Sequence, residues 1–421
     1  MGMNREAMEI REVSPGYALK AAKPAVPEGY KQTKVGAIPE DWECEKLEAF
    51  LSFISYGFTN PMPTVESGIY MVTAADIGDG RIQLDTARMT SLQAYKNLLT
   101  DKSRPRKNDI LLTKDGTLGR LAVVGEETIC INQSVAVIRT NRKADPLFIK
   151  FLLEGNSYQK RMIEDAGGST IKHIYITIVD KMPIGLPSDV SEQRAIATAL
   201  SDVDALLEEL DRLIAKKRDI KQATMQQLLT GQTRLPGFEQ EWETKRIGEL
   251  LTICHGRNQH EVEVKDGQFP ILATSGVIGT SKHALYNRPS VLIGRKGTIN
   301  KPRYMATPFW SVDTLFYSVI EEDNDAKYLY YQFLMIDWLQ YNEASGVPSL
   351  SARTIENIEI NCPQPLEQRA ISSVLSDLDT EIQFLEQSRT KTAAIKQAMM
   401  QDLLTGRIRL IETEAVAEAG V

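Results

Sequence analysis

The chain has 421 residues, enough for two or three domains with buried cores, and its 42% hydrophobic and 25% charged content is that of an ordinary globular protein. A net charge of −7 argues against a chain that coats nucleic acid without sequence preference. No apolar run is long enough to span a bilayer, the N-terminus has no signal-peptide core, and the four cysteines (Cys44, Cys130, Cys254, Cys362) form no CxxC pair, so a cytoplasmic protein with reduced, buried thiols is expected.

In chain order, residues 1–34 carry Pro15, Pro24 and Pro27 among mixed polar residues and are expected to be a loosely ordered extension. A first globular region, 35–187, opens on Pro39-Glu40-Asp41-Trp42-Glu43. Within it, Asp109-Ile110-Leu111-Leu112-Thr113-Lys114-Asp115-Gly116-Thr117 reads as a buried strand running into a Gly-containing turn. A second apolar strand at Ser134–Ile138 and a short helix from Pro146 to Glu154 follow. A segment at 188–234 then reads as a long helix, starting near Glu192 and ending before Gly231. Ile196, Leu200, Val203, Leu207, Leu210 and Ile214 give it the 4-3-4-3-4 spacing of a coiled-coil seam, which is expected to drift on to Leu213, Ile220 and Leu228.

The same order then returns. A second globular region, 235–363, opens on Glu239-Gln240-Glu241-Trp242-Glu243 and contains Ser290-Val291-Leu292-Ile293-Gly294-Arg295-Lys296-Gly297-Thr298, an apolar strand at Thr314–Val319, and a helix expected from Ala326 to Tyr341. A second long helix, 364–410, has the seam Ile371, Leu375, Leu378, Ile382 and Leu385. Glu367-Gln368-Arg369-Ala370-Ile371 stands 175 residues after Glu192-Gln193-Arg194-Ala195-Ile196, and Leu-Leu-Thr-Gly closes both helices at the same offset, with Gly231 and Gly406 predicted to take positive φ. Residues 411–421 are a short acidic tail. An apolar stripe on a rod of roughly 54 Å needs a partner, and its own copy is the available one. Chain order favours antiparallel pairing, because both connections then stay short. The expected fold is therefore α+β: two globular mixed α/β regions, separated by two long antiparallel coiled-coil helices in a pseudo-two-fold repeat.

Charge is unevenly spread. From Lys102 to Gly125 six basic residues face two acidic ones, and from Gly267 to Val312 there is no Asp or Glu at all. Two basic islands in an acidic chain suit two local phosphate-facing surfaces. The candidates for DNA contact are Lys114, Thr117, Arg120, Arg295, Lys296, Thr298 and Arg303. Arg and Lys take guanine edges or phosphates, whereas Thr suits phosphates or thymine methyls. Thr117 and Thr298 also read as simple turn residues.

Catalytic machinery is not recognisable. There is no GxxxxGK[ST] loop for ATP, and Asn60-Pro61-Met62-Pro63 only partly echoes an amino-methyltransferase motif. The ExK in Glu261–Lys265 has no upstream Pro-Asp. The four histidines (His173, His255, His260, His283) lack zinc spacing and read as surface or loop residues. No catalytic or metal residues are assigned.

Two variable regions that each open on a Pro-Glu-Asp-Trp-Glu-like motif, each followed by a long helix starting near Glu-Gln and closing in Leu-Leu-Thr-Gly, resemble the DNA-specificity (S) subunits of type I restriction–modification systems. The likeness runs from Val35 to Leu410. It departs at Pro187-Ser188-Asp189-Val190-Ser191, where the second copy has the family's compact Pro365-Leu366-Glu367, and in the N-terminal extension. The resemblance implies target-recognition domains at 35–187 and 235–363, each reading half of a bipartite site in double-stranded DNA, with the helices setting the spacer. It further implies two methyltransferase (M) subunits docked on the helices, with Lys216-Lys217-Arg218 as a plausible docking surface, and restriction (R) subunits beyond them. This chain would hold no cofactor; S-adenosylmethionine, ATP and Mg would belong to the partners. Alternatives are the S component of a related system with a fused methyltransferase–nuclease partner, a stand-alone DNA-modifying enzyme, and an assembly scaffold without DNA contact.

Overall fold

A computed structural model describes residues 26–167, 172–321 and 323–410. The chain forms two compact units, one of residues up to Asp204 together with those from Ala394 onward, the other of Ala205–Ala393.

In the first unit a four-stranded antiparallel sheet has the order Leu121–Val123, Ile110–Thr113, Val135–Thr140, Leu51–Tyr56. A three-stranded sheet places Ile69–Val72 between Ile129–Ile131, which is parallel to it, and Arg88–Thr90, which is antiparallel. Trp42–Lys46 pairs with Pro183–Pro187, bringing the two ends of the globular region together. Ile110, Leu111 and Leu112 are fully buried, which accounts for a continuous apolar run where an alternating strand would show polar residues. Helices at Pro146–Glu154 and Asn156–Glu164 follow; the first is capped by Asp145, whose carboxylate accepts from Leu147 and Phe148 N–H.

The second unit repeats this plan. Its four-stranded sheet runs Leu251–Cys254, Leu315–Ile320, Ser290–Gly294, Arg303–Met305, strand for strand the equivalent of the first. Phe269–Ala273 lies between a parallel Trp310–Ser311 and an antiparallel Gly276–Ser281, and Glu243–Arg246 pairs with Glu359–Cys362. The expected helix at 326–341 is two elements, Ala326–Met335 and a 3-10 turn at Trp338–Tyr341, broken where Asp337 caps the second.

The long helices span Val190–Leu229 and Pro365–Leu403. Pro365 is the first residue of the second helix, where its missing N–H costs nothing. Of the seam residues, Ile196, Leu200, Ile371, Leu375 and Ile382 are buried, while Val203, Leu207, Leu210, Leu378 and Leu385 are half-buried. The expected drift through Ile220 is corrected: Ile220 is 39% exposed, and the inner row runs Ile214, Lys221, Met225, Leu228. Lys221 thus stands in the inner row where the apolar letters suggested Ile220, its charge paired with Asp379.

Within the first unit Ile196 and Leu200 join a core with Met400, Leu403 and Leu404, and Lys396 meets Asp204 at 2.5 Å. Within the second, Met225, Leu228 and Leu229 share a core with Ile371 and Leu375, and Lys221 meets Asp379 at 2.5 Å. Lys217–Glu381 (2.7 Å) and Asp211–Arg389 (3.0 Å) follow in the same unit; as one number rises the other falls, so the two segments there run in opposite directions. The pairs Asp204–Lys396 and Asp379–Lys221 are equivalents at the 175-residue offset, and each lysine lies 5.5 Å from a ring, Lys396 from Phe151 and Lys221 from Tyr331.

The extension read as loosely ordered to Lys34 is also corrected. Tyr30–Thr33 pairs antiparallel with Gly36–Pro39, and the Tyr30 hydroxyl donates to the Gly406 carbonyl at 2.8 Å. Four backbone pairings and a distant anchor hold a stretch whose composition alone favoured disorder. The rest of that extension, residues 168–171 and the acidic tail lie outside the described residues.

Candidate nucleic-acid interface

Each long helix is fastened to its unit by the same clasp. Glu192 and Gln193, like Glu367 and Gln368, are buried in the first helical turn. A buried carboxylate needs a cation. Arg409 gives Glu192 two hydrogen bonds (2.6 and 2.7 Å), and Arg234 gives Glu367 two (2.6 and 2.7 Å). Each guanidinium lies near a tryptophan ring, Arg409 at 5.9 Å from Trp42 and Arg234 at 5.5 Å from Trp242. Gln193 donates to the carbonyls of Lys143 and Pro187 and accepts from the Asp145 N–H; Gln368 donates to the Pro363 carbonyl and accepts from the Asp325 N–H. Gly231 and Gly406 both take φ of 72°, letting the chain turn beside those tryptophans. The clasp arginines were missed from sequence although Arg234 and Arg409 keep the offset of the repeat. Arg409 also binds Asp41 (2.7 and 3.0 Å) and holds that carboxyl below its usual range.

The strand-end turns are also built alike. The N–H groups of Lys114 and Asp115 both point at the Ser134 carbonyl, and those of Arg295 and Lys296 at the Thr314 carbonyl. Gly116 and Gly297 follow with positive φ. Lys114 O accepts from Ile174 N–H (2.9 Å) and Arg295 O from Leu350 N–H (3.0 Å), tying each turn to a segment more than fifty residues further along the chain. Sequence reasoning paired these turns correctly.

Their chemistry differs. In the first unit the basic island is largely spent on the protein itself. Lys114 is held by Asp115 (2.9 and 3.0 Å) and sits over the Tyr56 ring; Arg120 donates to the Ile77 carbonyl. Arg104 donates to three carbonyls at the end of the helix Leu92–Leu98, and Arg106 and Lys107 pair with Asp101 and Glu126. In the second unit Lys282, Arg288, Lys296 and Lys301 are exposed, and none has an ion pair among the described residues. Arg295 is half-buried and donates to the Asp313 carbonyl (3.2 Å), while Arg303 lies in a strand and donates to the Thr274 carbonyl. Thr117 and Thr298 are exposed turn residues; the Thr117 carbonyl accepts from the Thr113 hydroxyl, closing its turn.

The remaining chemistry is sparse. Among the described residues, no group of three or more His, Cys, Asp or Glu could hold a metal ion. Burial pushes the Cys130 thiol up to about 12 and the Cys362 thiol up to about 11, as for inert structural cysteines; Cys44 and Cys254 are half-buried. No helix among the described residues is long and apolar enough to cross a membrane.

Two mixed α/β units of one plan, each clasped to long helices, define a duplicated binding-module architecture. The chain belongs to the family described as the type I restriction modification DNA specificity domain, which matches residues 39–217 and 239–394. It is 23% identical over 425 residues to the type I restriction enzyme MjaVIII specificity subunit of Methanocaldococcus jannaschii, covering 91% of this chain and 96% of that one. It is 25% identical over 205 residues to the EcoBI specificity subunit of Escherichia coli, covering 46% of this chain and 42% of that one. In fold it is similar to the crystal structure of a type I restriction–modification S subunit from M. genitalium, with a TM-score of 0.63 and 19% identity over 88% of this chain and 97% of that one.

Proposed function

We propose that this chain is the non-catalytic DNA-specificity subunit of a type I restriction–modification complex. Each unit reads one half of a bipartite site in double-stranded DNA. The observation that carries this reading is the duplication of plan without duplication of surface: equal sheets, clasps and turns present different charges and loops, as two readers of different short sequences require. The recognition domains begin at Tyr30 and Leu235. The two long helices form an antiparallel, coiled-coil-like spacer with pseudo-two-fold symmetry. Some 40 residues give roughly 60 Å of helix, longer than the ~34 Å of one duplex turn, which suits two major-groove contacts about a turn apart.

Methylation and cleavage, with S-adenosylmethionine, ATP and Mg, belong to partner subunits in this reading, and the complex works in the cytoplasm. Exposed apolar side chains on the helices, Ile220, Phe384 and Ile395, offer docking points for methyltransferase subunits. Ile220 and Ile395 are equivalents at the 175-residue offset, which supports two such subunits. Restriction subunits join through them. Lys217 and Arg218 are committed to Glu381 and Glu386, whereas Lys216 is exposed with no ion pair among the described residues and is offered for docking.

The test is to express this chain with its methyltransferase alone in a host and map methylated bases across the genome. A two-part motif with a constant gap is expected. Methylation by the purified chain alone, or a single undivided motif, would sink the reading.

A further inference from the structure

The two strand-end turns carry opposite charge at one position. Where the second unit has Lys296, bridged to Ser349, the first has Asp115, bonded to His173. Asp115 Oδ1 lies 2.6 Å from His173 Nδ1, and both its oxygens are bonded to Lys114 Nζ. The His173 backbone is fixed as well, exchanging two hydrogen bonds with Gly167 (2.8 and 3.1 Å). A carboxylate only accepts, so Nδ1 carries the hydrogen, and a neutral ring then turns a lone pair outward at Nε2. The His173 side chain is 40% exposed, whereas those of Asp115 and Lys114 are only 21% and 16% exposed.

From this geometry we infer that His173 is a base-reading residue of the first unit, positioned by Asp115, and that it accepts a hydrogen bond from an exocyclic amino group, adenine N6 or cytosine N4, in the major groove. The inference rests on the DNA-reading function proposed above. Phosphate is the wrong ligand for this turn, because the Asp115 carboxylate cancels the Lys114 charge and repels an anion. The second unit's turn keeps exposed Lys296 with no carboxylate bonded to it among the described residues, the chemistry of a phosphate grip. Equivalent turns therefore do different work: one specifies, the other holds.

The test binds the purified full chain to a duplex library randomised across both half-sites and sequences the bound fraction at several salt concentrations. Absence of any enriched sequence with the unaltered chain would overturn the DNA-reading function itself, before any variant is compared. Given enrichment, His173→Ala is expected to lose about tenfold or more of the preference at one base pair in one half-site, with the other half-site and the salt slope unchanged. His173→Gln, which keeps an acceptor, retains part of the preference for A or C. Asp115→Asn, which frees the ring without deleting it, weakens the same base pair alone and covers the case in which His173→Ala does not fold. Unchanged preferences, a uniform loss across all duplexes, or a salt slope lower by about one would each overturn the assignment, the last by making His173 a phosphate contact.

Discussion

Arg409 holds the Glu192 carboxylate through two hydrogen bonds although 217 residues separate them, and that carboxylate is only 1% exposed. Arg234 and Glu367 repeat the arrangement. Removing either arginine leaves a buried charge uncompensated, which costs more than the pair itself contributes. Because Arg409 is itself partly solvated, Arg409→Ala should cost about 2–3 kcal/mol. Urea denaturation should show the Arg409→Met, Glu192→Leu pair recovering most of that loss; equal losses for the single and double variants would contradict it.

The tryptophans beside the clasps are not equivalent in their polar contacts. Trp242 Nε1 donates to Glu367 Oε2 at 3.1 Å, while Trp42 Nε1 is buried without a hydrogen-bond partner among the described residues. Trp242→Phe should therefore cost about 1–2 kcal/mol more than Trp42→Phe, as read from unfolding midpoints. The opposite ranking would refute the contact.

The helix-ending glycines should also rank. Both have φ of 72°, a conformation that costs an L-residue about 1 kcal/mol. A methyl group at Gly406 would additionally stand 2.5 Å from Pro39, whereas at Gly231 it meets Trp242 at an ordinary 3.4 Å. Gly406→Ala should thus be the more destabilising by at least 1 kcal/mol, a difference that thermal unfolding can resolve.

Asp41 gives a pH prediction. The hydrogen bond from Arg409 lowers its folded pKa below the unfolded carboxylate value of about 4. A lowered acid pKa contributes stability above the unfolded value and loses it as pH falls through the folded one. The gap in stability between the unaltered chain and Asp41→Asn should thus be largest at neutral pH and shrink below about pH 4. The pair is solvent-exposed on the Asp41 side, so the gap will be small. A gap that widens on acidification would reverse the assignment.

Phe384 is 68% exposed on the second long helix. Phe384→Ser should leave stability within about 0.5 kcal/mol yet weaken co-purification with the methyltransferase partner. Undiminished partner binding would remove Phe384 from the docking surface.

Much of this fold could be read from residues because it is written twice. The Glu-Gln-Arg-Ala-Ile and Leu-Leu-Thr-Gly repeats located both helices, and the matched strand-turn segments paired equivalent elements of the two sheets. What escaped depends on contacts far apart in sequence. Periodicity could not show that Lys221 replaces Ile220 in the seam, since that choice depends on Asp379. Composition could not show that Tyr30 is anchored by Gly406. Counting charges made Lys114 and Arg120 look available, but Asp115 and the Ile77 carbonyl already engage them. His173 reads as a surface or loop residue, and sequence could not show its contact with Asp115, 58 positions away.

The second unit is one unbroken stretch of polypeptide, whereas the first is completed by residues from Ala394 onward. A ribosome therefore releases everything the second unit needs while Glu192 still waits for Arg409. The region made first closes last, and until it does, Leu200 and Ile196 lack Met400 and Leu404 to cover them. Truncation before Ala394 would strand the first unit in the state it occupies during synthesis.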